Sequence, residues 1–347
     1  MKIVHVAGCR PQFVKLAMVD RELRSAGHES VILHTGQHYD EGMSEVFFRQ
    51  LEIPAPKINL GVGSGSHAEQ VGKAMIGIEK FLLEEKPDGV LVYGDTNATM
   101  AGILAACKLG IKTAHVEAGM RSFDRNIPEE YNRVVTDHCS DLLFCVTENS
   151  RSNLEREGII SGVYLVGDIM LDTFYFFLGQ QTDILNKLEI EPKRYLLATA
   201  HRSTLSRDDI ANIFAALETL DETVIFPLHP RMAALVPPHG SKIRTIDPIG
   251  YLDMITLENN ARMILTDSGG VQREAYFSGV PCVILRDETE WTDITKSGWN
   301  VVAGTGSNKI FRSVRDFVVP AFKPPIFGDG QTRKQIVKHL QDNWDTK

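Results

Sequence analysis

The stretch from Met263 to Trp291, MILTDSGGVQREAYFSGVPCVILRDETEW, leaves the chain little choice of fold. A short apolar run, Met263-Ile264-Leu265, enters Thr266-Asp267-Ser268-Gly269-Gly270, a helical pattern follows as far as Gly279, and a second apolar run spans Val283 to Leu285. That order is strand, turn, helix, strand, the repeating unit of a parallel α/β sheet. A turn made of Ser268, Gly269 and Gly270 lets backbone N–H groups approach an anion closely, and the positive end of the following helix adds to the attraction. The same turn also serves as a tight strand-to-helix connection with no ligand. Glu274 falls one helical turn after Gly270, where it could accept from a ribose hydroxyl pair. Arg286 to Trp291 form a charged loop at the carboxyl end of the second strand, the edge at which open α/β sheets bind ligands.

The remainder of the chain repeats this rhythm. Residues 2–8 read as a buried strand, and Gly8-Cys9-Arg10-Pro11 turns into a helix carrying Phe13, Leu16, Val19 and Leu23 at helical spacing. Arg10 and Lys15 then sit where they could reach a phosphate, or else belong to a solvated basic helix start. A strand over Val31 to Leu33 ends in Thr35-Gly36-Gln37-His38; one over Val90 to Tyr93 ends in Gly94-Asp95-Thr96-Asn97; one over Thr113 to Val116 delivers Glu117-Ala118-Gly119. In a parallel sheet Asp95 and Glu117 share one rim, and Glu129 follows at the start of a helix. Each acid alone is also a candidate helix cap. After strands at Leu142 to Val146 and Val163 to Val166, a second series begins: Tyr195 to Thr199 leads to His201, Val224 to Pro227 to His229, and Ile243 to Ile246 to Tyr251. Two such series predict two Rossmann-like domains facing a ligand cleft. The last helical pattern, after Gly328, presents Ile336, Val337, Leu340 and Trp344 on one face and must pack on something.

Composition narrows the function classes. A net charge of −8 disfavours a nucleic-acid partner, and no apolar run reaches membrane-span length. Five scattered cysteines without Cys-x-x-Cys spacing indicate neither a disulfide frame nor a zinc site, and Met1-Lys2 leads directly into a strand, so a cytoplasmic location is expected.

The motifs G-C-R-P-Q-F-V-K, T-G-Q-H, Y-G-D-T-N, H-V-E-A-G-M-R-S, P-E-E-Y-N-R, T-A-H-R, L-H-P, T-D-S-G-G-V-Q-R-E-A and R-D-E-T-E-W run in order through nearly the whole chain. Together they resemble the non-hydrolysing UDP-N-acetylglucosamine 2-epimerase family. The resemblance implies the glycosyltransferase-B architecture. It implies domains over 1–168 and 169–328, the first holding the sugar and the catalytic carboxylates and the second the UDP, with the helix over 329–347 crossing back to complete the first. It further implies that Arg10 and His201 hold a diphosphate, that Ser268, Gly269 and Gly270 cradle it, that Glu274 takes the ribose hydroxyls, and that Asp95, Glu117 and Glu129 do acid/base work, with His201 also in the catalytic set. A UDP-sugar substrate, a homodimer, no cofactor and no metal are expected.

The family's usual G-T-R-P-E reads Gly8-Cys9-Arg10-Pro11-Gln12 here, Q-E-E-A reads Gln272-Arg273-Glu274-Ala275, and T-E-R-P-E reads Thr289-Glu290-Trp291-Thr292-Asp293. R-P-Q-F with E-T-E-W looks like the branch acting on UDP-2,3-diacetamido-2,3-dideoxyglucuronate, a surface-polysaccharide (O-antigen) precursor. The M-L-D-Q segment of allosterically activated members reads Gly42-Met43-Ser44-Glu45, which argues against such activation. A uronate needs a charge partner, and Gln12, by removing one acid near the sugar, with Arg121 or Arg125 as pairing cation, would meet that need; solvated loop arginines are the other reading. Lys15, His229 and Arg286 complete the expected sugar or phosphate contacts. A hydrolysing epimerase, a glycosyltransferase and a non-catalytic sugar-nucleotide binder are the competing functions.

Overall fold

A computed structural model describes residues 1–36, 48–180, 182–202, 204–229 and 232–345. Gln37, His38 and the Gly42 to Glu45 segment lie outside them, as does Pro230. The chain divides into two compact units, Met1–Thr173 with Phe327–Lys347, and Phe174–Ile326.

The first unit carries a seven-stranded, wholly parallel sheet in the order β3-β2-β1-β4-β5-β6-β7. Its strands are β1 (Lys2–Ala7), β2 (Glu29–His34), β3 (Ile58–Asn59), β4 (Gly89–Tyr93), β5 (Lys112–Ala118), β6 (Leu142–Cys145) and β7 (Val163–Leu165). Between them run α1 (Arg10–Ser25), α2 (His67–Glu85), α3 (Asn97–Lys108), α4 (Pro128–His138) and α5 (Glu148–Arg156). Strand order reverses between β1 and β4, so the turns after those two strands flank the crevice where doubly wound sheets take ligands. The two-residue β3 has too little apolar pattern to be read as a strand from the sequence.

After α6 (Ile169–Leu178) and the single turn α7 (Ile184–Lys187), the second unit holds six parallel strands in the order β10-β9-β8-β11-β12-β13. These are β8 (Tyr195–Thr199), β9 (Thr223–Pro227), β10 (Ile243–Ile246), β11 (Met263–Thr266), β12 (Cys282–Ile284) and β13 (Asn300–Val302). The helices are α8 (Arg207–Glu218), α9 (Tyr251–Asn260), α10 (Gly269–Phe277), α11 (Thr292–Lys296) and α12 (Ser307–Arg315). Alternate strand residues feed two cores: Leu196, Phe226, Met263, Leu265 and Val283 pack on one face, and Tyr195, Leu197, Ile225, Ile264 and Cys282 on the other. Burial on both faces is why these strands read as continuous apolar runs and not as alternating ones. The reversal here lies between β8 and β11, which puts His201 and the Ser268 turn at the second unit's own switch point.

The last helix, α13 (Thr332–Trp344), belongs to the first unit, as the two-domain architecture requires. Arg333 reaches Asp172 (3.0 Å) and Glu22 of α1 (3.3 Å), the Thr332 hydroxyl donates to the Val166 carbonyl (2.9 Å), and Lys112 donates to the Trp344 carbonyl (3.2 Å). The Trp344 ring lies flush on Gly89, where an added Cβ would stand 2.3 Å from Cζ3. No helix among the described residues is long and apolar enough to cross a membrane.

Gly89→Ala should therefore overpack the β4–α13 contact and lower stability by about 1–3 kcal/mol. Thermal unfolding checks it, and the Gly89→Ala/Trp344→Leu double variant should recover part of the loss; a wild-type midpoint for the single variant would contradict the packing described.

Candidate active-site rims

In the first unit, β1 ends at Gly8 and Cys9, and Arg10 opens α1 with Pro11 beside it in the first turn. Gln12, expected near a sugar, is 1% exposed and faces the protein. Its Oε1 accepts from the Gly8 N–H (2.7 Å) and the Cys9 thiol (3.6 Å), and its Nε2 donates to the Tyr93 carbonyl (2.8 Å) and the Thr99 hydroxyl (2.9 Å). The amide thus ties the turn after β1 to the turn after β4, and no capacity remains for a ligand. Gln12 is corrected from a sugar contact to a structural bridge.

Lys15 is likewise no solvated helix residue. Its Nζ lies 2.8 Å from Glu117 Oε1, with the two side chains 5% and 10% exposed. The pair passes beneath Gly94, where a Cβ would meet Lys15 Nζ at 2.9 Å and where φ is +62°. Glu117 itself sits at φ +78°, and the β5–β6 register breaks between Val116 and Ala118. A bulge turns the Glu117 side chain toward α1, at the cost of a backbone conformation that disfavours side chains by about 1–3 kcal/mol.

Asp95 follows the neighbouring strand β4, whose Tyr93 is in register with Val116 of β5, so Asp95 and Glu117 project from adjacent strand ends. Asp95 Oδ2 accepts from Arg133 Nε (3.0 Å) and Nη2 (2.7 Å), and the Asp95 carbonyl from Asn132 Nδ2 (2.9 Å). Glu129, Asn132 and Arg133 lie at helical spacing on one face of α4, so Glu129 stands one turn before the residues that grip Asp95, and it is exposed. Its neighbour Glu130 is buried instead: it accepts from the backbone N–H groups of Ser122 and Phe123 (both 2.9 Å) and from Arg133 Nη1 (2.9 Å). Burial works to raise the Glu130 carboxyl, but those donors outweigh it and hold it below the ordinary range.

Arg121 is corrected too. It is buried, with Nε and Nη2 donating to Glu157 (2.7 and 2.8 Å) and Nη1 to Asp137 (2.6 Å) and the Met120 carbonyl (2.8 Å). Asp137 also accepts from the Gly119 N–H (3.1 Å) and contacts His115 (2.7 Å), whose other ring nitrogen meets the Gly94 carbonyl (2.7 Å). Burial pushes Asp137 upward, and His115 and Arg121 overcome that and keep it below the usual carboxylate range. This network fixes the loop after β5 from beneath. Arg125, in contrast, is exposed.

In the second unit, Ser268 caps α10, its hydroxyl accepting from the Val271 N–H at 3.5 Å. The glycines after it leave the first N–H groups of the helix open to an anion. Gly269 has a packing reason as well, since a Cβ there would lie 2.5 Å from Glu290 Oε1 and 3.0 Å from Trp291 Nε1. Asp267, a residue the sequence reading left without a role, is fully buried and accepts from the backbone N–H groups of His201 (2.9 Å) and Arg202 (2.8 Å), with its other oxygen 3.4 Å from His201 Nδ1. Its place directly before the turn was the available signal. The His201 and His229 rings stack at 6.1 Å. Arg286 pairs with Glu290 at 3.0 Å, and Arg273 stacks on Trp291 at 4.1 Å. Glu274 is buried in α10. A cavity of about 600 Å³ lies at the carboxyl ends of β9 and β10, lined by Leu228, Ala233, Thr245, Ile246, Asp247 and Pro248.

Arg121→Met should leave Asp137 buried without its cation and cost about 3–5 kcal/mol of stability. Urea denaturation checks this, and a wild-type midpoint would return Arg121 to the pool of ligand-binding cations.

The sequence model of the UDP-N-acetylglucosamine 2-epimerase family matches residues 21–341. A UDP-N-acetylglucosamine 2-epimerase homolog of Methanococcus maripaludis is 49% identical, covering 99% of this chain and all of its own. The UDP-2,3-diacetamido-2,3-dideoxy-D-glucuronate 2-epimerase of Pseudomonas aeruginosa is 41% identical over 98% of this chain and 99% of its own. Among solved structures, Methanocaldococcus jannaschii UDP-GlcNAc 2-epimerase in complex with UDP-GlcNAc and UDP superposes with a TM-score of 0.92 at 40% identity, covering 99% of this chain and 100% of that one. With two doubly wound units, carboxylates at the ends of β4 and β5 and a helix N-terminus after β11, the chain belongs to the UDP-N-acetylglucosamine 2-epimerase family.

Proposed function

We propose that the protein inverts C2 of a UDP-sugar carrying an N-acetylated amine at that carbon, releasing neither free sugar nor UDP as final product. The observation that carries this reading is the pair of acids at adjacent strand ends, Asp95 held by Arg133 and Glu117 held by Lys15. Such a C2–H is not next to a carbonyl and resists a carboxylate base. Breaking the C1–O bond to UDP first develops oxocarbenium character at C1 and acidifies the C2–H, so a carboxylate can take the proton and leave a glycal. Protonation of C2 from the opposite face and re-addition of UDP at C1 then give the epimer. The reaction needs cations and N–H dipoles on the leaving diphosphate and carboxylates about the ring, each acid/base group contributing about 10²–10⁴ in rate.

In this reading Arg10, His201 and the Ser268-Gly269-Gly270 turn hold the diphosphate, Glu274 takes the ribose hydroxyls, and the cavity after β9 and β10 receives the base. Asp95, Glu117 and Glu129 divide the proton transfers. The first unit handles the sugar and the second the UDP. A cytoplasmic homodimer making a surface-polysaccharide precursor completes the proposal; its support is the family resemblance, and light scattering tests the dimer.

The substrate class is a UDP-N-acetylhexosamine or its uronate. The charge argument for the uronate rested on Gln12 and two arginines; Gln12 and Arg121 are committed internally, and Arg125, exposed just beyond the Glu117 loop, is the cation that still favours the acidic sugar.

Incubation with each UDP-sugar in deuterated water, followed by NMR, tests the reaction. Deuterium at an inverted C2 with UDP still attached is expected; free sugar plus UDP would identify a hydrolysing enzyme instead. Glu117→Gln and Asp95→Asn should remain folded, the former with a lowered unfolding midpoint because Lys15 loses its buried partner, and should keep UDP binding while losing at least about 100-fold in turnover. Near-normal turnover in either variant would remove that residue from the mechanism.

A further inference from the structure

Behind the Ser268 turn two acids stand face to face. Glu258 of α9 is fully buried, Glu274 of α10 is 6% exposed, and the two helices pack together. Neither oxygen of Glu258 receives a hydrogen bond from an N–H or O–H of the described residues, and the side chain it faces is that of Glu274. Two acceptors cannot bond without a proton between them. A buried carboxylate with no donor is too costly to keep its charge, and paired carboxyls relieve their repulsion by holding one proton in common.

The neighbours offer Glu258 no relief. The Tyr195 hydroxyl of β8 donates to the Leu257 carbonyl (2.6 Å). The Cys282 thiol of β12 is buried, and both groups are themselves pushed up, by burial first and by the Glu258 charge second. On the adjoining elements Arg273 stacks on Trp291, Arg262 pairs with Glu222, and Lys187 of α7 is exposed. Burial, and after it the charge of Glu274, drives the Glu258 carboxyl well above the ordinary range.

We propose that Glu258 is a positioning residue for nucleotide binding: it carries the proton of the pair, donates its O–H to Glu274, and so fixes the carboxylate that receives the ribose hydroxyls. The inference rests on the ribose role given to Glu274 above. A hydrogen bond from behind favours the Glu274 rotamer that turns its carboxylate toward the ribose. When alkali removes the Glu258 proton, two like charges come into contact, Glu274 is driven out of place, and the nucleotide is held less well.

Calorimetric titration of UDP, from neutral to alkaline pH, into the wild type, Glu258→Gln, Glu258→Leu and Glu274→Gln decides the matter. The glutamine amide at 258 still donates but cannot ionise, so its UDP affinity should stay within about threefold of wild type at neutral pH and should not share the wild type's weakening in alkali. The leucine variant should bind about tenfold more weakly, as the loss of a hydrogen bond to a charged group implies. Wild-type affinity in Glu258→Leu, or alkaline weakening in Glu258→Gln matching the wild type, overturns the proposal. Glu274→Gln separates the two readings: if it binds UDP normally the ribose assignment fails, whereas weak binding there with normal binding in Glu258→Leu removes only the role of Glu258. Should Glu258→Leu not fold, the alkaline comparison of Glu258→Gln with wild type still decides.

Discussion

The contact on which the first unit's rim depends is the buried pair between Lys15 and Glu117. Removing either partner from such a pair leaves a charge stranded and costs about 3–5 kcal/mol. That penalty explains three features that look independent in the sequence. The bulge after Val116 exists to turn Glu117 toward α1, the left-handed backbone of Glu117 is tolerated because its carboxylate gains a cation, and Gly94 is a glycine because Lys15 passes within 2.9 Å of where its Cβ would be. Strain at one residue is thus offset by a neighbouring electrostatic contact, and the product is an acid held at a strand end beside Asp95.

Both units use a buried acid to hold a strand-end loop by its backbone. Asp137 gathers the Gly119 N–H, Arg121 and His115 under the loop that follows Glu117; Asp267 gathers the N–H groups of His201 and Arg202 beside the Ser268 turn. A carboxylate accepts several N–H groups at once, so one side chain can replace the ladder bonds a loop gives up at the end of its strand. Glu130 does the same for Ser122 and Phe123. Rigid loops at the carboxyl ends of parallel strands are what an acid/base site needs, because proton transfer depends on placement to within a fraction of an ångström.

The strands and turns were legible because parallel strands buried on both faces write themselves as apolar runs punctuated by glycine. The motifs at the two switch points were legible for the same reason, being polar segments that directly follow apolar strand runs. What stayed hidden were partners distant in the chain. Nothing local in G-C-R-P-Q says that the amide of Gln12 reaches Tyr93 and Thr99, or that Arg121 is spent on Asp137 and Glu157. The positive φ of Glu117 is equally invisible, since glutamate carries no signal for it. Of the adjacent acids Glu129 and Glu130, helical phase alone separates the exposed one from the one that accepts from the loop.

Two departures from the usual motifs turn out to be a single change in space. The usual Q-E-E-A and T-E-R-P-E place an acid at position 273 and an arginine at 291, opposite charges at two positions that touch. Here Arg273 stands over the ring of Trp291 at 4.1 Å. An arginine at 273 facing another at 291 would repel; facing a tryptophan it gains a cation–π contact worth about 0.5–2 kcal/mol, depending on desolvation. The pairing matters beyond its own energy, because Trp291 and Glu290 lie directly against Gly269 and leave no room there for a side chain. The loop over the helix N-terminus is therefore anchored through Arg273, while Glu274, the next residue along the helix, faces Glu258 on the other side. One turn of α10 thus braces the loop above the N-terminus with one residue and the neighbouring helix with the next.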